Sequence, residues 1–277
     1  MSEQKEFEFT QDDFNFLRGI VTSTTGIVAP DDKYTMYYSR LARRLRTLGL
    51  ADFSAYRQYL KTNLETESIE LVNAVTTNLT SFFRESHHFD YLRDILIPEK
   101  IRCNDYRLHI WSAGCSTGEE PYTIAITLFE AIPDPDKWDI KILATDIDSN
   151  VLKTGSNGVY DEARVANLDK ALLRRYFKKG SGPNAGKVKV NPALSKYIHF
   201  KQLNLLHDWP INEKLDIIFC RNVVIYFDKE TKSKLVDRFA DQLVDKGMLF
   251  MGHSESLYKT TERFELLGKT IYQLESR

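Results

Sequence analysis

The rhythm of apolar and polar side chains changes along the chain, and the change divides it. Residues 10 to 77 carry only the spacing of amphipathic helices. Thr10 with Asp13 makes a capping-box pattern ahead of Phe14, Leu17, Ile20 and Val21, and Gly26 supplies a stop. Asp31 or Asp32 is expected to open a second helix, with Tyr34, Tyr37, Leu41, Leu45 and Leu48 on its apolar side and Gly49 ending it. Asp52 caps a third, with Phe53, Tyr56, Tyr59 and Leu60 apolar, and a fourth runs from Glu67 to Thr77 with Ile69, Val72 and Val75 inward. The stretch predicts a small four-helix bundle.

At Thr76 to Arg84, TTNLTSFFR breaks the helical period. Its composition suits an ordered connector more than a flexible linker, and polar side chains at such a junction often face a ligand cleft. His87 and His88 begin the next helix, with Phe89, Leu92, Ile95 and Leu96 on its core side. Adjacent histidines lack the i, i+4 spacing of a helical metal site and are read as structural.

A second rhythm follows. Leu108 to Ala113 is an apolar run ending in a glycine-bearing turn, Gly114 to Gly118, and then a helix start: Ser116 or Thr117 as cap, Glu119, Glu120 and Pro121. The helix Tyr122 to Ala131 leads to a strand, Ile140 to Ala144, that stops at Asp146 and Asp148. That is a βαβ unit of the doubly wound kind, whose ligands lie beyond the carboxyl ends of its strands. Val151 to Tyr160 reads as helix and turn, and Leu168 to Phe177 as helix. Gly180, Gly182, Pro183 and Gly186 then mark a long turn between alternating stretches, an inserted hairpin. Tyr197 to Leu203, Leu215 to Cys220 and Gly247 to Gly252 read as strands, Asp228 to Asp245 as amphipathic helix, and Phe264 to Leu274 as a closing hairpin around Gly268. Strand ends thereby bring Asp146, Asn204, Asn222 and His253 to one rim.

Composition adds little until charge is mapped locally. The 277 residues carry a formal net charge of −1, which suggests neither nucleic acid nor a membrane surface as partner. The cysteines, Cys103, Cys115 and Cys220, have no metal spacing and point to a reducing compartment, and Cys115 and Cys220 are read as structural. The start, MSEQKEFEFT, is too polar for a targeting signal, and no apolar run approaches the ~20 residues of a membrane span. The expectation is a soluble intracellular protein. Yet Lys33 through Ala51 holds Lys33, Arg40, Arg43, Arg44 and Arg46 and no acid, a stripe suited to carboxylate or phosphate recognition, unless it is only a solvated helix face.

The glycine turn narrows the ligand. It lacks G-x-G-x-x-G, and Glu119 and Glu120 stand where a pyrophosphate would need positive potential. A ligand with a ribose and an amine fits better, Asp146 taking the hydroxyls and Glu120 the ammonium; S-adenosylmethionine has both groups. The same two glutamates could serve only to complement the helix dipole.

TTNLTSFFRE, WSAGCSTGEEPYTIA, ATDID, NLL, FCRNVVIYFD and GHSES, in this order and over nearly the whole chain, resemble the CheR-type chemotaxis receptor methyltransferases. The turn AGCSTG departs from the third glycine common among methyltransferases, as this family is known to do. The resemblance implies an α/β fold: a Rossmann-like S-adenosylmethionine-dependent methyltransferase sheet with a small inserted antiparallel β-subdomain, preceded by an all-α N-terminal domain. Its boundaries would be 1–75 for the helical domain, 76–90 for the connector, 91–277 for the cofactor-binding domain and 178–200 for the insert. Asn78, Thr80 and Arg84 would line the methionine end of the cofactor, and Asn204, Leu205, Arg221 and Asn222 would hold the adenosine and its surroundings. Glu120 and Asp146 would act as argued, and Arg84 and Tyr226 would flank the methyl and the incoming carboxylate as the catalytic pair.

The implied activity is glutamate methyl-ester formation on chemoreceptor cytoplasmic helices during adaptation, releasing S-adenosylhomocysteine, with no metal. Arg40, Arg43, Arg44 and Arg46 would bind the acidic receptor helix, and the long GSGPNAG turn resembles the subgroup that docks a receptor C-terminal tail. No nucleic acid and no membrane insertion are implied; the family default is a monomer in the cytoplasm, recruited to receptor arrays. The competing readings are a same-fold methyltransferase on another acceptor and a cofactor-binding receptor adaptor without transfer.

Overall fold

The expected capping box forms at the first helix. The Thr10 hydroxyl accepts from the Asp13 N–H at 3.1 Å, and the Asp13 carboxylate accepts from the Thr10 N–H at 3.0 Å. This computed structural model describes residues 6–276; residues 1–5, the first half of the polar start MSEQKEFEFT, and Arg277 lie outside the described residues. Helix α1 (Gln11–Thr25) stops at Gly26, whose φ of 72° is left-handed. Asp31 and Asp32 open a short 3₁₀ turn and do not cap α2 (Tyr34–Leu48). Asp52 does cap α3 (Phe53–Thr62), accepting from the Ala55 N–H at 2.8 Å, and α4 (Leu64–Val75) follows. Phe14, Leu17, Leu41, Leu45, Phe53, Tyr56 and Leu71 make their shared core.

One inward face differs from expectation. Ile69 is exposed, and Glu67, Leu71 and Val75 point inward with Val72. The cause is polar: the Arg44 guanidinium donates to both Glu67 oxygens at 2.8 and 2.6 Å, and the Tyr56 hydroxyl donates at 2.8 Å. With Glu67 drawn in, the i, i+4 row through Leu71 and Val75 becomes the buried one and Ile69 rotates out.

By contact density the chain forms two units, one of residues up to Thr77 with Tyr226–Thr231, the other of Asn78–Ile225 with Lys232 onward. In the larger unit α5 (His87–Tyr91) runs through a π-helical turn, Leu92–Leu96, into α6 (Ile97–Arg102). The extra residue of the π turn shifts the apolar register, so Ile97 is buried and Ile95, expected inward, is exposed.

Next come β1 (Arg107–Ala113), α7 (Glu119–Ala131), β2 (Asp139–Asp146), α8 (Ser149–Asn157), β3 (Val159–Asp161), α9 (Lys170–Tyr176), β4 (Phe177–Lys179) and β5 (Lys187–Val190). The chain closes with α10 (Pro192–Ser195), β6 (Ile198–Gln202), β7 (Leu215–Cys220), α11 (Lys229–Gln242), β8 (Leu243–Met251), β9 (Phe264–Gly268) and β10 (Ile271–Leu274). The seven-stranded sheet has the order β6-β2-β1-β7-β8-β10-β9. Its first five strands are parallel, and β10 runs antiparallel to β8 and β9. Every residue of β7 and all but the first of β1 are buried, as befits strands covered on both faces. The order reverses between β1 and β7, so the ends of β2, β1, β7 and β8 open on one crevice.

The expected hairpin pairs β4 with β5, but β3, read as a turn, joins them in a separate sheet of order β3-β5-β4. Strand β6 lies in the main sheet. Among the described residues no helix is long and apolar enough to cross a membrane.

Removing Arg44 leaves a buried carboxylate without its cation. Arg44→Ala is expected to lower unfolding stability by about 3 kcal/mol, whereas the exposed Arg43→Ala stays within about 0.5 kcal/mol. Urea unfolding of the two variants checks this; equal losses would contradict it.

Candidate active site

The turn after β1 is built on left-handed backbone: φ is 86° at Gly114, 50° at Ser116 and 94° at Gly118. The Gly114 and Cys115 N–H groups both donate to the Thr145 carbonyl at 2.8 Å, which seats the turn against the end of β2. The Ser116 N–H then donates to the Asp146 carboxylate at 2.8 Å. A second amide, Asp148 N–H, meets the other Asp146 oxygen at 3.0 Å. Asp146 is 9% exposed, and burial pushes its carboxyl up to about 6 against the pull of these amides.

Helix α7 is not capped by Ser116 or Thr117, as its sequence suggests. Gly118 holds the N-cap position with no side-chain bond. Both hydroxyls are engaged elsewhere: Ser116 Oγ donates to the Asn78 carbonyl at 3.1 Å, and Thr117 Oγ1 to the Glu119 carboxylate at 2.6 Å.

The connector lies against this turn. Asn78 Nδ2 donates to Asp148 at 2.8 Å, and the Phe83 N–H donates to Thr123 Oγ1 at 3.2 Å. Thr80 offers its carbonyl to Arg164 at 3.1 Å. Arg84 folds back, donating from Nη1 to the Leu79 carbonyl at 2.8 Å, and its neighbours Phe83 and Glu85 have φ of 53° and 56°.

Behind Arg84 sits a buried cation. Arg221, at the end of β7, donates to Glu120 at 3.0 Å and to the Arg84 carbonyl, and lies 3.5 Å from Glu85. Ser112 Oγ donates to the other Glu120 oxygen at 2.7 Å, so that carboxylate has one orientation. Glu85 also accepts from the His253 N–H at 3.1 Å. Burial opposes its ionisation, but the His253 hydrogen bonds and the Arg221 charge win and hold its carboxyl below the usual range.

Glu85, His87 and His88 bring possible metal-ligating atoms within 4.8 Å of one another. Arg221 already supplies a cation to that carboxylate. Burial first, and the Arg221 charge second, push His88 down to about 3, so it is neutral. Both histidines place Nε2 at 3.1 Å from the Lys269 carbonyl.

Of the other residues predicted from sequence, Asn204 accepts from the Leu206 N–H at 3.0 Å, and Leu205 is buried with its carbonyl taken by Trp209 and Arg238. The Leu203 N–H donates to the Asp146 carbonyl, tying this loop to the end of β2. Asn222 has φ of 59° and gives its N–H to Glu255 at 2.7 Å. Burial pushes the Cys115 and Cys220 thiols well up, which disfavours thiolate and nucleophilic chemistry at both.

Tyr226 is half-buried and falls in the helical unit, where its carbonyl accepts from the Val28 N–H at 2.9 Å. In that unit Arg40 binds the Val75 and Thr76 carbonyls, Arg44 binds Glu67, and Arg46 binds Glu6 at 2.8 Å; Arg43 is exposed.

Sequence reasoning gave no role to Glu85, Ser112, Arg164 or Glu255. Glu255 is 1% exposed and accepts from the N–H groups of Asn222, Gly252 and Ile225, pinning the loop after β7 to the end of β8. Glu85 and Glu255 lie inside TTNLTSFFRE and GHSES, so the motifs carried the signal.

Residues 78–273 match the family described as CheR methyltransferase, SAM binding domain, and residues 12–76 match CheR methyltransferase, all-alpha domain. A chemotaxis protein methyltransferase 2 of Pseudomonas aeruginosa is 44% identical over 97% of this chain and 95% of its own. The Escherichia coli chemotaxis protein methyltransferase is 43% identical over 94% and 90%, and a probable chemotaxis protein methyltransferase of Rhizobium etli 37% over 93% and 98%.

The turn tolerates no Cβ at its last position. At Gly118 one would lie 2.8 Å from the Gly155 Cα, backbone that cannot step aside, on top of a left-handed φ. Gly118→Ala should therefore cost more than about 2 kcal/mol, and Gly186→Ala, left-handed but in open space, about 1 kcal/mol. Equal thermal shifts in the two variants would refute the crowding.

Proposed function

The chain belongs to the CheR methyltransferase family of chemotaxis methyltransferases, and from that premise we propose that it esterifies glutamate side chains on the cytoplasmic helices of chemoreceptors. The carrying observation is a pair of acids that follow adjacent strands: Asp146 closing β2, and Glu120 in the first turn of the helix after β1.

A buried carboxylate at Asp146 and an oriented carboxylate at Glu120 suit a ribose and an ammonium, the polar groups of S-adenosylmethionine. The donor set fits a ligand without phosphate. Ser116 and Asp148 amides fix the Asp146 plane, leaving oxygen lone pairs for hydroxyl donors. Arg221 and Ser112 likewise preset Glu120. Asn78 and Thr80 stand on the connector that flanks the turn, and Asn204, Leu205, Arg221 and Asn222 on loops at neighbouring strand ends.

Bound there, S-adenosylmethionine supplies an activated sulfonium methyl for in-line displacement by a carboxylate oxygen. The acceptor needs no general base, because an unperturbed glutamate, with a pKa of ~4.3, is already ionised at neutral pH. Orientation and partial desolvation are the protein's contribution. We assign Arg84 and Tyr226 to orienting the acceptor, and Arg40, Arg43, Arg44 and Arg46 to receptor docking, in which the exposed Arg43 has most to offer. The small sheet is the proposed place for a receptor tail.

Incubation of receptor-containing membranes with methyl-labelled S-adenosylmethionine, followed by mild base, tests the acceptor. Release of the label as methanol is expected of a carboxyl ester. Base-stable label would point to the same fold acting on another acceptor.

Asp146 gives the site a pH dependence. A carboxyl raised to about 6 is protonated below that pH and loses acceptor capacity, while its contribution to fold stability runs oppositely, present below its unfolded value and lost as pH rises through 6. S-adenosylhomocysteine affinity should fall about fourfold between about pH 7.5 and about pH 5.5. Asp146→Asn should bind more weakly and flatten that profile; titration calorimetry showing the same slope in the variant would remove Asp146 from the explanation.

A further inference from the structure

We propose that Arg164 is a positioning residue for the cofactor, an arm of the inserted β element that holds the connector and the glycine turn in one arrangement. It stands in the 3₁₀ turn Glu162–Arg164, directly after β3 of the small sheet. Its guanidinium reaches three groups from three different segments. Nη1 donates to the Thr80 carbonyl of the connector at 3.1 Å. Nη2 donates to Thr117 Oγ1 of the glycine turn at 3.3 Å and pairs with Glu119 Oε1 of α7 at 3.2 Å.

Glu119 makes the contact consequential. Its side chain is wholly buried, Oε2 is held by Thr117, and no hydrogen bond in good geometry reaches Oε1, leaving the Arg164 charge as its compensation among the described residues. A buried carboxylate needs a cation or a proton. The same insert adds a second tie, since the Tyr160 hydroxyl donates to the Thr117 carbonyl at 2.8 Å. Close packing at Gly118 and Gly155 leaves no slack between the turn and the root of the insert. The planar fork of arginine suits three acceptors in different directions, which one lysine ammonium does not. The insert is thus part of the cofactor site and not an appendage to it.

This inference rests on the proposed cofactor site, and its test separates the two. S-adenosylhomocysteine binding, steady-state kinetics and amide hydrogen exchange would be measured for the wild type, Arg164→Lys, Arg164→Ala and Arg164→Ala/Glu119→Gln. In Arg164→Ala, affinity should fall about tenfold and KM for S-adenosylmethionine rise in parallel, with kcat at saturation within about twofold. Exchange should quicken at residues 79–82 and stay unchanged in β5. Lysine should recover only part of the affinity. The double variant should regain thermal stability, because the buried charge is gone, without regaining affinity.

Wild-type affinity in Arg164→Ala, or full recovery in the double variant, would reduce Arg164 to a counter-charge and overturn the proposal. Should the wild type itself fail to bind S-adenosylhomocysteine, the cofactor reading falls, and unchanged exchange at 79–82 in Arg164→Ala would sink the positioning role as well.

Discussion

The larger unit depends on a single buried guanidinium. Arg221 closes β7 at the crevice, its fork divided between Glu120 at the start of α7 and Glu85 at the end of the connector, its face over the Phe89 ring at 5.4 Å. Two carboxylates drawn into a poorly solvated cleft repel each other and disfavour burial. One cation between them turns that repulsion into a link across the crevice. Hydrogen bonds to the Arg84 carbonyl from the same group then fix where the connector backbone runs. The remaining acids at the rim obey the same constraint with neutral donors: Asp146 takes two amides, and Glu255 takes three.

Side-chain anchors also account for the strain. Phe83 and Glu85 both adopt left-handed backbone, a conformation costing about 1–2 kcal/mol per residue outside glycine. Each is offset by an anchor: the Phe83 N–H on Thr123, and the Glu85 carboxylate between Arg221 and His253. Arg84 lies between the two. Its backbone is thus held by groups at two strand ends and on one helix.

What the sequence disclosed follows from which forces are local. Capping at Thr10 and Asp52, the stop at Gly26 and the apolar runs of β1, β2 and β7 depend on residues within a turn or a strand of each other, and they were legible. Ile69 and Ile95 were misplaced because their orientation is decided at a distance, in one case by Arg44 reaching across to Glu67, in the other by a π turn that shifts the register. Gly118 took the N-cap in place of Ser116 or Thr117 because their hydroxyls bond the Asn78 carbonyl and the Glu119 carboxylate instead of the helix's backbone N–H groups. Strand β3 is three residues long and pairs only through β5, so no periodicity could announce it. Glu119 and Glu120 were visible as acids at a helix start; their pairing with Arg164 and Arg221, distant in sequence, was not.

The same pairings bear on which group an incoming carboxylate would meet. Arg221 is 7% exposed and committed to two acids and a carbonyl, and Arg164 to an acid, a hydroxyl and a carbonyl. Arg84 is half-buried and directs one Nη1 bond at a main-chain oxygen, leaving most of a five-donor fork to other acceptors. Arg221 and Arg164 each balance a buried acid, so neither could turn to an incoming carboxylate without leaving that acid uncompensated. A partly committed arginine can, and because its existing bond is to a neutral carbonyl, the new partner does not have to displace a charge. A loose hold is also what the proposed chemistry requires, since a carboxylate clamped by a full salt bridge would be a poor nucleophile. The distribution of partners among these three arginines is the ground for proposing Arg84 as the group that orients the acceptor.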